Sequence, residues 1–520
     1  MAKTAVIIGA GPAGLTAALK LLEETDYIPV VLEMDSQVGG IAKTITYKKN
    51  RMDLGGHRFF TKNERVNTLW NELLPIQGSP ALDDKILGRQ KPLNRGGPDP
   101  EQREEVMLVR DRISRIYYNR KFFDYPVTLN MQTIRNMGFR KTISGGFGYL
   151  HSCIIKRPEA SLEDFMINRF GKPLYHMFFQ DYTKKVWGKD PSQIDASWGA
   201  QRIKGLSLKK AIAGALRKKF AATDAQGRQV ETSLIEQFTY PKRGPGQMWE
   251  VMARRVVEMG GQLMLGARVT GITVEDGKIT RVLCQQNGIT IAYVPDVVFS
   301  SMPIKDLILA IDDGVPIEVK QLARNLPYRD FITVGMLLDK LVLKNQTKMR
   351  TLSDIVPDCW MYIQEPDVKL GRLQIFNNWS PYLVNSPKQT VWVGLEYFCN
   401  EGDELWRMGE EDFISFATSE LVKIGIIHKE DVKDAVQIKV KKAYPAYFGV
   451  YHQFHKIKSY LDTIENLYCI GRNGQHRYNN MDHSMLTAMT AVDALGGKAS
   501  REDVWNVNTE EQYHEQKERS

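Results

Sequence analysis

A run of glycines directly after a short apolar strand constrains this chain more than any other feature of its sequence. Residues 4–8 are typical of a buried parallel strand, and the turn Gly9-Ala10-Gly11-Pro12-Ala13-Gly14 follows at once, ahead of a helix rich in Ala and Leu. In such a turn Gly9 permits the tight bend, Gly11 lets the backbone approach a pyrophosphate, and Gly14 lets helix and strand pack closely. The pattern predicts a nucleotide-binding βαβ start with an anion at the helix N-terminus.

An acidic residue stands where such a fold binds a ribose. The second predicted strand, Ile28 to Leu32, ends in Glu33, and an acid about 20 residues past the glycines can accept hydrogen bonds from ribose hydroxyls. A glycine turn alone also occurs in α/β proteins that bind no nucleotide. Strand, helix, second strand and acid in this order favour the nucleotide-binding interpretation.

Two further glycine pairs indicate which dinucleotide is bound. Gly39-Gly40 comes shortly before Thr44, and Gly55-Gly56 stands in the segment Met52 to His57. Paired glycines let the backbone come close to an extended cofactor. We therefore expect FAD rather than NAD, bound by a Rossmann-type α/β domain.

The length of 520 residues predicts two or three domains around the cofactor. Helical spacing of apolar residues runs from Leu129 to Ala221, whereas short alternating stretches with turns fill Gln262 to Val298. Further strands are expected at Phe331 to Leu343, Leu373 to Phe376 and Val391 to Tyr397, and a strand with an Ala-rich helix at Leu467 to Leu495. The predicted fold is an α/β protein in which a discontinuous FAD-binding domain carries a helical insert and an antiparallel substrate sheet.

The domain boundaries follow from these patterns. We expect the FAD-binding domain to be built from residues 1–88, 226–312 and 459–500, a mostly helical substrate-side domain at 104–225, an antiparallel sheet domain at 313–458, and a C-terminal tail at 501–520.

Charge and cysteine usage exclude several classes of protein. The net charge of +9 comes from 70 basic and 61 acidic residues, a mild excess that does not require nucleic acid. The basic tract from Arg202 to Lys219 is typical of a solvated helix face, although a local anion site stays open. Five scattered cysteines predict neither a disulfide framework nor a metal site. With no predicted membrane span and no basic leader, we expect a cytoplasmic protein.

An ordered series of motifs is similar to the UDP-galactopyranose mutases, especially the longer eukaryotic ones, from the N-terminus to about Leu495. They are YTKKVW at Tyr182 to Trp187, GAQR at Gly199 to Arg202, FTYPKRGPG at Phe238 to Gly246, CWMY at Cys359 to Tyr362, GRLQIFNNWSPY at Gly371 to Tyr382, AYP at Ala443 to Pro445, and GRNGQHRYNNMDHS at Gly471 to Ser484. One departure is that Gln37, Val38 and Ile41 stand where many flavin relatives have an arginine. A second is His476, where bacterial mutases have a tyrosine.

The resemblance implies a UDP-hexopyranose substrate that is converted to its furanose form through a flavin N5-sugar adduct. FAD would act in its reduced form, with NADH or NADPH as a possible reductant, and no net oxidation would occur. The protein itself must hold a diphosphate leaving group, a task that suits arginine forks and tyrosine hydroxyls. A homo-oligomer is possible.

Residue by residue, the resemblance implies two sets of substrate-side positions. The catalytic set is Arg372, Arg202 and His57, and the substrate-binding set is Tyr362, Tyr444, Tyr478, Asn480, Asn377 and Trp187. The implied cofactor-binding positions are Gly9, Gly11, Gly14, Glu33, Gly39, Gly40, Gly56, Val269, Gly471, Arg472 and Ser484. Each has a plainer alternative, because an arginine is often a surface residue, a tyrosine a packing residue and a histidine a structural one.

Two other functions remain open. One is an FAD-dependent oxidoreductase of the amine oxidase or protoporphyrinogen oxidase type, in which hydride passes from substrate to flavin. The other is a non-catalytic flavin-binding assembly protein. An oxidase has no evident need for arginines and tyrosines that converge on a diphosphate, so the mutase interpretation leads.

Overall fold

The computed structural model describes residues 3–125, 127, 131–196 and 237–508. Strands in this part, β1 to β19 in chain order, are Lys3–Ile8, Tyr27–Glu33, Thr44–Tyr47, Asn50–Asp53, Met107–Asp111, Ser114–Tyr118, Lys121–Asp124, Gln237–Pro241, Gln262–Leu265, Arg268–Glu275, Lys278–Gln286, Ile289–Tyr293, Val297–Ser300, Tyr328–Leu338, Trp360–Ile363, Arg372–Ile375, Val391–Cys399, Val432–Pro445 and Leu467–Cys469.

The α-helices of the same part are Pro12–Glu24, Glu64–Leu73, Leu82–Leu87, Met131–Met137, Phe139–Ile154, Leu162–Phe170, Lys172–Tyr175, Asp181–Trp187, Gly246–Glu258, Ile304–Ala310, Ile317–Asn325, Phe376–Trp379, Glu404–Arg407, Glu410–Lys423, Phe454–Asp462, Gly471–Gly474, Met481–Leu495 and Arg501–Asn506. None of these helices is long and apolar enough to cross a membrane.

A five-stranded parallel sheet with the order β19-β13-β1-β2-β9 forms the Rossmann-type domain. Its strands come from three separate stretches of the chain, so the discontinuous domain is confirmed. Strand β1 is buried on both faces, as its continuous apolar run requires. Ala5 and Ile7 face the core beneath helices Pro12–Glu24 and Met481–Leu495, whereas Val6 and Ile8 face the core on the opposite side.

A seven-stranded sheet with the order β18-β14-β17-β16-β15-β6-β7 forms the second layer. Its pairs are antiparallel except β15 with β6, which run parallel. The sheet is therefore mixed rather than purely antiparallel, because β6 and β7 come from a distant stretch of chain inside the segment 104–225. Helix Glu410–Lys423 covers an apolar core on one face.

The helices between residues 131 and 187 lie beside this sheet. The apolar spacing of Leu162 to Gln180 predicts one continuous helical stretch, but Gly171, with φ +79°, separates Leu162–Phe170 from Lys172–Tyr175. A π-helical turn, His176–Gln180, then leads into helix Asp181–Trp187. The α/β fold class is confirmed, while the domain boundaries stay a prediction.

Candidate active site

The first two glycine motifs lie against each other. The N–H of Gly9, at φ +100°, donates to the Leu32 carbonyl oxygen over 2.8 Å, and the N–H of Gly39 donates to the Ala10 carbonyl oxygen over 2.9 Å. A Cβ added to Gly11 would lie 3.8 Å from the Gly40 Cα. The two glycine loops therefore approach each other through backbone atoms, with no side chain of Gly11 or Gly40 between them.

Helix and strand approach most closely at the third glycine of the first motif. A Cβ at Gly14 would lie 1.8 Å from the Gly9 carbonyl oxygen, a distance that no side chain tolerates. Helix Pro12–Glu24 begins with Gly11 as its N-cap, and no side chain caps it. Its first turn therefore keeps backbone donors for an anion.

The carboxyl-terminal motif completes a glycine cradle, the backbone surface formed by Gly9, Gly11, Gly40 and Gly471 at the start of helix Pro12–Glu24. Gly471, at φ +75°, lies so close to helix Pro12–Glu24 that an added Cβ would be 2.8 Å from the Ala13 Cβ. Its N–H donates to Thr487 Oγ1 over 2.8 Å. Helix Met481–Leu495 begins nearby with Asn480 as its N-cap and buried Ser484 in its first turn.

Glu33 closes the other end of the cradle. Its carboxylate accepts from the Ala10 N–H over 2.7 Å and from the Asp35 N–H over 2.9 Å. Burial raises the pKa of Glu33, and these two hydrogen bonds oppose the rise. The Ala267 N–H donates to the Glu33 carbonyl oxygen over 2.8 Å, which places the start of β10, with Val269, beside this strand end. Bare loops, an uncapped helix and a buried acid fit an extended dinucleotide such as FAD.

The predicted substrate-side residues form a second group, and a buried ion pair lies at its centre. Arg372 Nη2 is 2.8 Å from Glu396 Oε2, and the two residues are direct partners in the β16–β17 register. Burial raises the pKa of the fully buried Glu396, whereas the charge of Arg372 opposes that rise. Arg372 Nε is buried and makes no hydrogen bond within the described part of the chain.

Tyrosines surround this guanidinium. Arg372 Nη2 also donates to the Tyr444 hydroxyl oxygen over 3.4 Å, and the Tyr182 and Tyr362 rings meet edge to face with centroids 5.4 Å apart. Burial raises the pKa of the Tyr182 hydroxyl well above its usual range, and the charge of Arg372 lowers it in part. Tyr478 stacks obliquely on Tyr444 with ring centroids 5.5 Å apart.

Two residues connect the tyrosine cluster with the glycine cradle. The Arg472 guanidinium lies 3.9 Å from the Tyr478 ring centroid and follows Gly471 directly, and its Nε and Nη2 are buried with no described hydrogen-bond partner. His57 follows the second glycine pair, and its Nδ1 lies 3.1 Å from the Gly55 carbonyl oxygen. Desolvation, then the charges of Arg472 and Arg372, lower the pKa of His57 to about 3. His57 is therefore a neutral imidazole at neutral pH.

The structure thus brings together Arg372, Tyr362, Tyr444, Tyr478, Arg472 and His57. Gly56 belongs to the same place, because a Cβ there would lie 3.7 Å from Arg372 Nη1.

Other expected substrate residues make different contacts. The Asn377 side-chain amide donates to the Thr390 carbonyl oxygen over 2.9 Å and accepts from the Trp392 N–H over 2.9 Å. Its NH2 group and its oxygen are therefore both hydrogen-bonded to backbone groups. Trp187 is buried in an apolar cluster, and Asn480 caps a helix. Arg202 and the basic tract that follows it lie outside the described residues.

Sequence reasoning missed Glu396 and assigned no firm role to Tyr182. A signal for Glu396 was present, because it is the one charged residue in the apolar run Val391–Cys399, and a buried carboxylate requires a cationic or hydrogen-bonding partner. Tyr182 stood inside a quoted motif, but its contact with Tyr362 joins positions 180 residues apart.

Comparisons with known proteins concern the sequence and the fold of this chain. Residues 7–73 match the family model for an NAD(P)-binding Rossmann-like domain. A probable UDP-galactopyranose mutase from Klebsiella pneumoniae is 27% identical over 206 residues, which cover 38% of this chain and 44% of that relative. The match therefore spans less than half of the relative's length.

Structural comparison covers nearly the whole chain. The crystal structure of reduced UDP-galactopyranose mutase matches with a TM-score of 0.75 and 18% identity, over 99% of this chain and 100% of that one. The chain has the fold of UDP-galactopyranose mutase. A putative protoporphyrinogen oxidase from Exiguobacterium sp. 255-15 matches with a TM-score of 0.64 and 15% identity, over 95% of this chain and 99% of that one. Putrescine oxidase reaches a TM-score of 0.55 at 13% identity, over 95% and 99%. The chain therefore shares its overall fold with proteins of different printed activities.

Proposed function

We propose that this chain is a flavin-dependent nucleotide-sugar mutase that interconverts a UDP-linked hexopyranose, such as UDP-galactopyranose, with its furanose form. The sequence similarity to a probable UDP-galactopyranose mutase and the shared fold support the family of the reaction. FAD is the proposed cofactor, in the cradle formed by Gly9, Gly11, Gly40 and Gly471.

One observation carries the proposal. The buried Arg372 guanidinium lies within tyrosines on one side and beside the Gly55-Gly56-His57 loop on the other. An anion-binding group is thereby held next to the predicted flavin site. A substrate that places its sugar near the flavin would set its diphosphate against this arginine, and an oxidase of amines has no such requirement.

Arg372 is suited to a leaving diphosphate. Glu396 occupies Nη2 and fixes the plane of the guanidinium, while Nε stays without a hydrogen bond among the described residues. A fixed guanidinium presents its donors in a rigid fork that matches phosphate oxygens. Because charge grows on the diphosphate as the bond to the sugar breaks, such a fork stabilises the transition state more than the ground state. Arg202 is proposed as a second diphosphate ligand from the motif resemblance alone.

The remaining residues order and shield the site. Hydroxyls of Tyr182, Tyr362, Tyr444 and Tyr478 would donate to the diphosphate or the sugar, and their rings exclude water. Arg472, stacked on Tyr478, would face the cofactor from its own motif. When bound, reduced FAD would supply the nucleophile for the anomeric carbon, so the proposed reaction would need no nucleophilic side chain. Neutral His57, whose Nδ1–H donates to the Gly55 carbonyl oxygen, would offer its Nε2 as an acceptor without adding charge.

The test is an assay of the purified protein with UDP-galactopyranose, with and without dithionite, NADH or NADPH. We expect the furanose isomer, resolved by chromatography, only with a reductant, and with catalytic rather than stoichiometric use of that reductant. Consumption of one donor or one oxygen per substrate would support the oxidoreductase alternative and contradict the mutase proposal. Binding of FAD without any turnover of UDP-sugars would leave the fold assignment intact and contradict the proposed substrate.

A further inference from the structure

An unusual helix lies on the surface of the region between residues 131 and 196. Helix Phe139–Ile154 presents large apolar side chains to solvent, with Phe139 79%, Phe147 70% and Ile154 82% exposed. Ile143 and Leu150 are 41% and 58% exposed. The spacing of these five residues, four, four, three and four, places them on one face of the helix.

The opposite face of this helix is made of small residues. Gly145 and Ser152 are its buried residues. A Cβ on Gly148 would lie 2.3 Å from Pro173 Cδ, and one on Gly145 would lie 3.0 Å from Leu174 Cδ2. The helix therefore packs closely on the protein through glycines and turns its phenylalanines outward, the reverse of an ordinary amphipathic surface helix.

Basic residues flank this apolar stripe at both ends. Arg140 and Lys141 stand in its first turn, and Lys156 and Arg157 follow its end. From Met131 to Pro158 the sequence contains no Asp or Glu. All four residues are exposed, but three of them also contact the protein. Arg157 lies 3.8 Å from the Asp164 carboxylate, the Lys156 ammonium donates to the Asn168 carbonyl oxygen over 2.6 Å, and the Lys141 ammonium lies 5.6 Å from the Tyr118 ring centroid.

We propose that the stripe of Phe139, Ile143, Phe147, Leu150 and Ile154 docks this protein on an anionic lipid surface. Exposed apolar residues of a helix that is flanked by Lys and Arg suit insertion at the boundary between headgroups and acyl chains. The basic ends would contact anionic headgroups. This inference does not depend on the proposed mutase activity.

A second copy of the chain fits the stripe less well. Antiparallel pairing of two such helices would set Arg140 and Lys141 against Lys156 and Arg157 of the partner, and parallel pairing would set each basic end against itself. Like charges brought together in this way disfavour association, whereas a negatively charged bilayer complements both ends at once.

The experiment uses the full-length, FAD-loaded protein and vesicles of phosphatidylcholine, with or without about a third phosphatidylglycerol. We expect co-sedimentation with the anionic vesicles to be about tenfold stronger, and to weaken as salt is added. Phe147→Asp should reduce this binding about tenfold, because it places a charge in the apolar stripe. The matched control is Ile317→Asp, at a residue 76% exposed on another helix, which should bind like the parent.

Cys153 provides a second readout on the same helix, because it is the exposed cysteine and the other four are buried. An environment-sensitive dye on Cys153 should shift to the blue with anionic vesicles in the parent and not in Phe147→Asp. Retained FAD absorbance will show that the variants are folded.

Three results would overturn the proposal. Equal binding to both vesicle types excludes a preference for anionic lipid, and absent binding to both excludes a lipid surface. A dimer that Phe147→Asp converts to a monomer, without vesicle binding, assigns the stripe to a second copy. A dye that is already shielded before vesicles are added, in a monomer that binds neither vesicle, assigns the stripe to another part of this chain, such as residues 197–236.

Discussion

Arg372 and Glu396 face each other across strands β16 and β17, and their side chains form an ion pair 2.8 Å long. Glu396 is fully buried, so replacing only one partner of the pair leaves the other charge unpaired in a poorly solvated place. The pair explains how a guanidinium can be held still in an aromatic cluster, although its Nε has no hydrogen-bond partner among the described residues.

Arg372→Ala should cripple turnover while FAD remains bound. Loss of a charge-assisted contact to the departing diphosphate should lower kcat/KM by about thirty- to a thousand-fold, or roughly 2–4 kcal/mol. Arg372→Lys should rescue poorly, because an ammonium cannot present two parallel donors. Steady-state kinetics and UDP titration measure both effects, and UDP binding as tight as that of the parent would contradict the assignment.

The control must separate catalysis from stability. Arg372→Ala strands the Glu396 carboxylate, so the single variant is expected to unfold at lower urea than the parent. Adding Glu396→Gln removes the stranded charge and should recover part of that stability without recovering activity. Recovery of both together would show that Arg372 serves the fold only.

The glycine cradle allows a matched pair of substitutions. Gly11 has φ −79°, and its added Cβ has 3.8 Å of clearance, so Gly11→Ala should fold normally. It should nevertheless bind FAD at least about tenfold more weakly, because the methyl group stands where the pyrophosphate approaches the backbone. Flavin fluorescence titration of the apoprotein measures this loss.

Gly14→Ala should fail for a different reason. Its Cβ would collide with the Gly9 carbonyl oxygen at 1.8 Å, so the strand and helix must separate. We expect a loss of more than about 3 kcal/mol in unfolding free energy, seen as poor solubility or a low thermal midpoint. If Gly11→Ala is the less stable of the two, the geometry of the turn is wrong.

The parts of this molecule that the sequence predicts are those set by local rules. The order of strand, glycine turn, helix and acid is a local pattern, and the structure reproduces it with β1, helix Pro12–Glu24 and Glu33. The parallel β15–β6 pair was not predictable in this way, because it joins Trp360 to Ser114 across 246 residues.

The candidate site shows the same division. The motifs predicted Arg372 and Tyr444 as site residues, but the hydrogen bond between them depends on the tertiary structure. Asn377 belonged to a matched motif too, yet backbone from Thr390 and Trp392 satisfies its amide. A motif therefore identifies a position, while only the packing around it decides whether the side chain faces a ligand or the chain itself.

Asp53 should make the stability depend on pH. Its carboxylate is fully buried and accepts hydrogen bonds from Tyr240 and, over 3.0 Å, from Thr44. Burial raises the pKa of Asp53 from 3.8 to about 7. Between these values the folded protein holds a proton that the unfolded chain has lost, so this contribution to the free energy of unfolding is full below 3.8 and falls as pH rises to about 7.

Asp53→Asn replaces the acid by a group that cannot ionise. Relative to the parent, the variant should gain about 2–4 kcal/mol between pH 4 and pH 8, measured by urea unfolding at each pH. Asp276→Asn, at an exposed turn, is the control and should show no such gain. A difference between Asp53→Asn and the parent that does not change with pH would mean that Asp53 is ionised throughout.

Lys185 is expected to position the tyrosine cluster without touching a ligand. Its ammonium group donates to the carbonyl oxygens of Ile363, Glu365 and Leu370 over 3.0, 2.7 and 3.0 Å. It thereby ties the helix that carries Tyr182 to the turn between Tyr362 and Arg372.

Lys185→Met should release this turn. Because a misplacement of about 1 Å can cost a hundredfold in rate, we expect kcat/KM to fall about ten- to a hundredfold while the flavin spectrum stays unchanged. The neighbouring Lys184→Met is the control, since Lys184 is 42% exposed and pairs with Asp190 at the surface. A double-mutant cycle with Tyr182→Phe tests the route, because residues that act through one contact are not additive. If the two losses simply add, Lys185 supports the fold but does not position Tyr182.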